Sequence, residues 1–487
     1  MSVLLRTRAD ITLDALRRVS WAGESVEIAP PALELMDRCH EAFQTLVDVR
    51  LAQDATAMVY GVTTAPGDGG LANLTAEQLE RRPTRIWTAA SFGEALPERV
   101  VRGIVLARIA NFLGGHAAVR AEVGRAVAAM LDGGELPRVP AQGNGGSGEI
   151  LALGHLFYDL SARLTLQPRE RMALINGSPC SAALVGDVAL AAHGRTRLAE
   201  QVFALSTEAV AAPLEAYSSD LEPLWGDEHE TAALRSLRSL LDGHHPERQR
   251  HQAPVSFRIL PRVLGQVRRA GAEAERAAAV SLRSVTDNPV YVPADEGRPL
   301  GTVLSTGGYH NPQAVAAIDG VSFAWADLCQ LAERHTDKLF LHPATAPHVD
   351  QEWSYKPLHM VQNAWAEEAR LLAHPTLLSL GGFGQNDVPA LAFLAWRKAM
   401  AIGRCLDAAL AVLAAIAAHA LDAGGRPTPA ALSELAQEVR AVFAPVADVR
   451  RLGPDCDALT AAFARRVFQG RVAGRDAQAG AAPLLDL

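Results

Sequence analysis

Apolar residues recur three or four positions apart along most of the chain, and alternating β-branched runs are scarce, which predicts helices. The segment from Glu98 to Leu113 reads as an amphipathic helix, and Pro97 suits its start because a missing N–H needs no partner there. Several candidates exceed the usual helix length, and long helices with apolar stripes pack most simply as a bundle. Further helices are predicted over residues 149–165, 180–217, 228–242, 261–283, 310–337, 352–373, 388–422 and 428–443.

Non-helical chain is concentrated in a few stretches rich in glycine and proline. Short strands are predicted at Val290–Val292 and Thr302–Leu304, inside a long non-helical segment. Near residue 190 the glycine-rich half gives way to long helices, which predicts an N-terminal domain over 1–190 and a helical bundle over 191–487. The predicted fold class is therefore all-α.

Composition and charge exclude several classes of function. The 487 residues are 49% hydrophobic and 21% charged, and the net charge of -8 provides no basic field for nucleic acid or an anionic membrane. Five separated cysteines without a CxxC pair argue against a zinc site or a disulfide framework and favour the cytoplasm. The most apolar stretch, Ala408 to Ala418, has about 11 residues. A membrane span needs about 20, so this stretch is predicted to be a buried helix.

The run Gly-Asn-Gly-Gly-Ser-Gly-Glu-Ile, from Gly143 to Ile150, carries the most informative local pattern. It matches the glycine spacing of a dinucleotide-binding turn, but Pro137 and Pro140 precede it where a strand is required. A nucleophile elbow needs glycine two positions after the serine, and Glu149 stands there. A plain loop with a serine capping the next helix remains open from the residues alone.

The longer stretch from Arg138 to His155 resembles the signature of the histidine and aromatic amino-acid ammonia-lyases and aminomutases. In that family an Ala-Ser-Gly tripeptide cyclises and dehydrates into 4-methylideneimidazol-5-one (MIO), an electrophile made from the chain itself. Gly146-Ser147-Gly148 occupies the tripeptide here. Glycine after serine allows a backbone nitrogen to attack a neighbouring carbonyl without steric obstruction.

Further segments resemble the family in the same order along most of the chain. Among them are segments that resemble the family's catalytic-tyrosine loop, its Asn-Gly segment, its Gln/Arg segment and its last active-site segment. The seven segments begin at Met58, Met172, Gln252, Thr286, Gly307, Glu333 and Gly384.

The resemblance assigns roles to individual residues. Tyr60 would act as the general base toward a β-carbon proton, and because the ordinary tyrosine pKa is about 10, the site is expected to lower it. Arg258 would hold the substrate carboxylate through its guanidinium fork. Asn176 and Gln252 would orient the carboxylate and the electrophile, and Ser147 would become the methylidene carbon that receives the amine.

The chain also departs from the family pattern at named positions. Gly146 replaces alanine, and Glu149 replaces aspartate. Val255 stands where most members have a second catalytic tyrosine, while Tyr309 replaces phenylalanine and restores a hydroxyl nearby. Lys356 lies in a segment that is normally apolar.

Two neighbouring pocket residues determine substrate choice in the family, and here they are identified as Trp87 and Thr88. Histidine as substrate favours histidine at the second of these positions and glutamate at the position of Asn386. Both are absent, which argues against ordinary histidine. An indole at 87 packs on an aromatic ring or faces a cation. Trp87, Thr88, Tyr309, Lys356 and Asn386 are therefore the predicted substrate-binding residues.

The resemblance implies an elongated helix bundle of the ammonia-lyase and fumarase-like superfamily, assembled as a homotetramer with shared active sites. The predicted reaction is loss of ammonia from an α-amino acid, giving an α,β-unsaturated acid. The alternatives are a 2,3-aminomutase, an MIO-free elimination of trimethylamine from a betaine as in ergothionase, and a non-catalytic helical scaffold. No metal is expected, since His244, His245 and His251 lack ligand spacing.

Overall fold

The computed structural model describes residues 2–81, 85–249, 252–350, 354–378, 381–382, 384–447 and 449–468. Within these ranges the chain is mostly helical with two small sheets, which confirms the all-α prediction. The helices are α1 (Leu13–Leu16), α2 (Pro30–Gln53), α3 (Ala76–Glu80), α4 (Glu98–Leu113), α5 (Ala121–Ala129), α6 (Ile150–Arg163), α7 (Pro168–Ile175), α8 (Pro179–Ala209), α9 (Leu221–Trp225), α10 (Glu228–Leu240), α11 (Val255–Arg258), α12 (Leu260–Arg283), α13 (Pro312–Leu341), α14 (Ala346–Val349), α15 (Leu358–Leu372), α16 (Ala392–Ala423), α17 (Ser433–Val442) and α18 (Gly453–Phe468). The strands are β1 (Ser2–Leu5), β2 (Ser25–Ile28), β3 (Val290–Val292) and β4 (Thr302–Leu304).

Helix α4 has the bounds that its periodicity predicts, and Pro97 is its N-cap residue. The helix is buried on all sides from Val100 onward, whereas an amphipathic helix was expected. Its arginines find partners inside the protein, since Arg102 donates to backbone carbonyls and Arg108 pairs with Asp287. Paired guanidinium groups allow an apparently amphipathic sequence to be buried completely.

Helix α8 ends at Ala209, short of the predicted residue 217. Ala211 takes a φ of 51°, in the left-handed region, and Pro213 follows without an N–H, so the helix cannot continue. The domain boundary expected near residue 190 falls inside α8, so the two parts of the chain share one continuous helix.

The bundle core consists of α8, α12, α13, α15 and α16, which pack against one another. The stretch from Ala408 to Ala418 lies in α16 and is buried throughout, as its composition predicts. Arg195 of α8 and Asp407 of α16 pair at 2.7 Å with 2% of each side chain exposed. The bundle thus neutralises the charges that it buries.

Three helical stretches among the described residues are long and apolar enough to cross a membrane by length and composition: Pro168–Ala209, Pro312–Leu341 and Ala392–Ala423. Their most apolar windows are 100%, 67% and 83% buried within the protein. The third contains the stretch that alone was too short to span. Packing against other helices therefore accounts for most of this apolar surface.

The predicted strands form an antiparallel hairpin in which Val290 pairs with Leu304 and Val292 with Thr302. Tyr291, between them, is buried against Phe43 of α2. This contact holds the hairpin on α2 and brings β4 to one wall of the cavity described below. A second, parallel pair of strands, β1 and β2, was not predicted.

Candidate active site

A cavity of about 600 Å³ lies where the tripeptide loop, the tyrosine loop, α7 and the β3–β4 segment meet. It brings together most of the residues that the sequence singles out. Those lining it are Tyr60, Trp87, Thr88, Ser147, Asn176, Tyr309 and Asn386. Neither Gln252, Arg258 nor Lys356 is among the lining residues of this chain.

The tripeptide is held by a distant segment of the chain. The Ala390 N–H donates to the Gly146 carbonyl at 2.8 Å, and the Ser147 hydroxyl donates to the Val388 carbonyl at 3.2 Å. His310 Nε2 lies 2.9 Å from that same Val388 oxygen. The loop is therefore fixed at two successive residues by a segment from the C-terminal half.

The glycines of the tripeptide adopt conformations that L-residues rarely take. Gly146 has a φ of 126° and Gly148 a φ of 70°. A Cβ on Gly146 would meet no atom within 4 Å, and one on Gly148 would lie 3.4 Å from Tyr309 Cβ. The Gly146 carbonyl is also polarised by its hydrogen bond from Ala390. Open space and a polarised carbonyl fit the attack of the Gly148 nitrogen that MIO formation requires.

Glu149 anchors the far side of the tripeptide. Its carboxylate accepts hydrogen bonds from Cys180 N at 2.5 Å, Ser181 N at 2.7 Å and Ser181 Oγ at 2.5 Å. These donors belong to the first turn of α8, where unpaired N–H groups favour an anion. Burial raises the pKa of Glu149 to about 7, and the hydrogen bonds from Ser181 and Cys180 oppose that rise.

Tyr60 sits in a tight loop and presents its phenol to the cavity. The backbone N–H of Gly67 donates to Tyr60 Oη at 2.8 Å. Burial raises the pKa of Tyr60 above its ordinary value, and the Gly67 hydrogen bond offsets only part of that effect. The expectation that the site lowers this pKa is therefore wrong for the single chain, because one neutral donor does not compensate for desolvation.

Asn176 follows α7 and is held rigidly. Its Nδ2 donates to Asn288 O at 2.7 Å, and its Oδ1 accepts from Gly177 N at 2.8 Å. Beneath it, Arg108 donates to the Asn176 carbonyl and pairs with Asp287 at 2.5 Å. Both charged side chains are 0% exposed. This support carries no local sequence signal, since Arg108 lies in α4 amid apolar residues.

The predicted Gln/Arg segment lies on the surface of this chain. Arg258 is exposed, and its Nε donates to the Ala253 carbonyl at 2.9 Å. Gln252 is exposed too, and Val255 is 59% exposed. Lys356 pairs with Asp350 at 3.2 Å, also outside the cavity. One chain by itself therefore lacks the predicted carboxylate-binding residues at its cavity.

Sequence reasoning missed several residues that line the cavity. Arg50 reaches it from the last turn of α2, and Gln385 and Met58 lie beside predicted residues. A lone arginine in a long helix carries no local signal of such a position. Among the described residues no group of three or more histidine, cysteine, aspartate or glutamate side chains could hold a metal ion; His251 lies outside them.

Comparison with known proteins places this geometry in a family. The model of the family described as aromatic amino acid lyase matches residues 11–163 and 159–444. A histidine ammonia-lyase of Symbiobacterium thermophilum is 29% identical over 501 residues, covering 93% of this chain and 94% of that protein.

Solved structures share the fold. A tyrosine aminomutase from Streptomyces globisporus superposes with a TM-score of 0.81 at 22% identity, covering 96% of this chain and 98% of that chain. The ergothioneine-degrading enzyme ergothionase from Treponema denticola gives 0.84 at 17% identity, with coverage of 96% and 99%. The family match extends over most of the sequence and includes every segment that lines the cavity. The chain belongs to the aromatic amino acid lyase family, and it is a carbon–nitrogen lyase.

Proposed function

We propose that this protein is an ammonia-lyase that eliminates ammonia from an α-amino acid to give an α,β-unsaturated acid. The observation that carries the proposal is the meeting of Ser147, Tyr60 and Asn176 around one cavity. A base, an amide and a serine flanked by glycines have no common purpose in a scaffold. Family membership as a carbon–nitrogen lyase supports the same conclusion.

The residues of the cavity have different roles in the proposed reaction. Tyr60 takes the β-proton through its phenolate oxygen, and the Gly67 N–H that already bonds that oxygen stabilises the charge. Asn176 keeps one amide hydrogen free of its contacts to Asn288 and orients the substrate. Since burial raises the pKa of Tyr60, the base is stronger but less often ionised at neutral pH.

The MIO group fits the residues present. Gly146, Ser147 and Gly148 would form it, with Ala390 and Glu149 holding the two ends of the tripeptide in place. When present, the group supplies an electrophile that makes the amine a better leaving group. Gly146 in place of alanine suits the observed φ of 126°.

Gln252 and Arg258 would complete the cavity from a neighbouring copy of the chain in a homotetramer. Support for this comes from their exposure on α11 and the segment before it, away from their own cavity. An exposed arginine whose one side-chain hydrogen bond goes to a carbonyl keeps donors for a carboxylate. A cation brought to Tyr60 by the neighbour would also lower the phenol pKa.

The substrate we infer is an amino acid other than histidine, since Trp87 and Thr88 form the pocket wall. Retention of the ammonia and its return to the β-carbon would make the enzyme an aminomutase. Two departures from the family pattern, Glu149 and Lys356, do not support the betaine alternative, since Glu149 faces α8 and Lys356 lies outside the cavity.

The mass of the peptide spanning residues 143–150 tests the proposal directly. We expect the loss of two waters in the wild type, no loss in Ser147→Ala, and no ammonia release by that variant. Ser305→Ala alters another serine of the cavity and serves as the matched control, which should retain both water losses. An unmodified wild-type peptide would exclude MIO, and ammonia release by Ser147→Ala would exclude its role.

A further inference from the structure

Arg50 is the single charged side chain among the described residues that line the cavity, and no carboxylate lines it there. The other lining groups are amides, hydroxyls and apolar side chains. A single cation in an otherwise neutral cavity attracts an anionic group of the ligand.

The guanidinium of Arg50 is half-buried but nearly without partners. Its Nη2 lies 3.5 Å from Thr302 Oγ1, at the long limit for a hydrogen bond, and no described carboxylate lies within ion-pair distance. Two other arginines have closer partners. Arg120 pairs with Glu170 at 2.8 Å, and Arg102 donates to backbone carbonyls at 2.7 and 2.8 Å. Arg50 therefore keeps most of its five donors for something outside the chain.

Arg50 is not bonded to the groups at which the reaction is proposed to occur. It projects from α2 beside β4, where Val303 and Ser305 also line the cavity. No hydrogen bond among the described residues joins it to Tyr60 or Ser147. The amine and the β-carbon of a substrate must lie next to those two residues, and the α-carboxylate is attached to the same carbon as the amine. Because the proposed function already assigns that α-carboxylate to Arg258 of a neighbouring copy, an anionic group held by Arg50 belongs to the side chain of the substrate.

We propose that Arg50 is a specificity-determining residue that binds a carboxylate on the side chain of the substrate amino acid. The inference rests on the proposed lyase function for two points: the end of the substrate that faces Tyr60, and the assignment of the α-carboxylate to Arg258. Trp87, Tyr60 and Tyr309 also line the cavity, which suits an aromatic ring carrying the second carboxylate. A guanidinium fork binds a carboxylate through two parallel hydrogen bonds.

A matched pair of product-shaped ligands tests this proposal: trans-cinnamate and 4-carboxycinnamate, which differ by one carboxylate. Their dissociation constants are measured by calorimetry on the full-length wild type, Arg50→Met, Arg50→Lys and Arg38→Met. Arg38 is the control because it lies on the same helix, with 65% of its side chain exposed, 3.9 Å from Glu34. Circular dichroism of each variant verifies that it is folded. Arg50→Lys, which retains the charge, provides the test if Arg50→Met does not fold.

The wild type should bind 4-carboxycinnamate roughly 10- to 100-fold more tightly than cinnamate, the range for a hydrogen-bonded charged group. Arg50→Met should abolish that preference and leave cinnamate binding within about twofold, Arg50→Lys should keep part of the preference, and Arg38→Met all of it. Absence of a preference in the wild type, or its survival in Arg50→Met, would overturn the proposal. Equal weakening of both ligands would assign Arg50 to the α-carboxylate and overturn it as well.

Ammonia release from L-phenylalanine and 4-carboxy-L-phenylalanine separates this inference from the function on which it rests. No ammonia from any amino acid, with the ligand preference intact, would end the lyase proposal and leave Arg50 as a carboxylate site. If ammonia is released but Arg50→Met does not change the choice between the two amino acids, the lyase proposal would stand and the assignment of Arg50 would be refuted.

Discussion

Glu149 offers a sharp test of how the tripeptide loop is built, because its carboxyl is fully buried with a pKa of about 7. A carboxyl whose pKa is raised in the fold stabilises it fully below the unfolded pKa of about 4.5, and that contribution disappears as pH rises through about 7. At about 1.4 kcal/mol per pKa unit, the whole effect is about 3 kcal/mol. Glu149→Gln keeps the shape of the side chain and removes the titration.

The assay is urea denaturation followed by circular dichroism between pH 5 and pH 8, at one protein concentration. Over this range the unfolding free energy of the wild type should fall by about 2 to 3 kcal/mol relative to Glu149→Gln. Glu170→Gln is the matched control. Burial raises the pKa of Glu170, but the hydrogen bonds from Arg120 and Gln167 outweigh it and leave that pKa lowered. Its contribution is lost only in acid, so its difference from wild type should be flat from pH 5 to pH 8.

A difference between wild type and Glu149→Gln that stays constant, or grows in favour of wild type with pH, would refute this account. It would mean that the three donors at the start of α8 stabilise the ionised carboxylate more than burial destabilises it.

Three further predictions follow from the same geometry. Tyr60→Phe should lower kcat by about 10²- to 10⁴-fold, and a kcat close to that of the wild type would contradict the assignment of the base. Arg108→Leu should lower the unfolding free energy, measured in urea, by about 3 to 5 kcal/mol, since it leaves a buried charge on Asp287 with one weaker partner. Gly146→Ala should disfavour the observed loop by about 1 to 3 kcal/mol and slow the loss of two waters, because Gly146 has a positive φ. Gly145 does not have a positive φ, so Gly145→Ala should slow that loss less. Equal rates for the two variants in the peptide-mass assay would refute the role of the backbone angle.

Much of the fold could be predicted because local periodicity and packing agree. The bounds of α4 and of both strands of the β3–β4 hairpin follow from their sequences. The end of α8 carries one local signal, Pro213, which disfavours a helix to residue 217. The left-handed conformation of Ala211 carries none, since it is imposed by its surroundings. The pairing of β1 with β2 joins two short parallel strands, and such pairing carries little local signal.

The candidate site was predictable where its residues lie in recognisable segments, as Tyr60, Ser147 and Asn176 do. What escaped prediction depends on distance through space. Arg50 belongs to a helix whose pattern indicates only that one face is polar. The contact of Ser147 with Val388 joins residues that are 241 positions apart in the sequence. The surface location of Arg258 depends on how α11 packs, which no motif encodes.

The hydrogen bonds of Val388 and Ala390 with the tripeptide also have a consequence for biosynthesis. A nascent chain that has emerged only as far as residue 300 carries Gly146 and Ser147 without the backbone groups that bond to them. The hydrogen bond that polarises the Gly146 carbonyl can form only after Ala390 has left the ribosome. Chains that end before residue 388 would lack both contacts, and the proposed maturation of the tripeptide would not be supported in them.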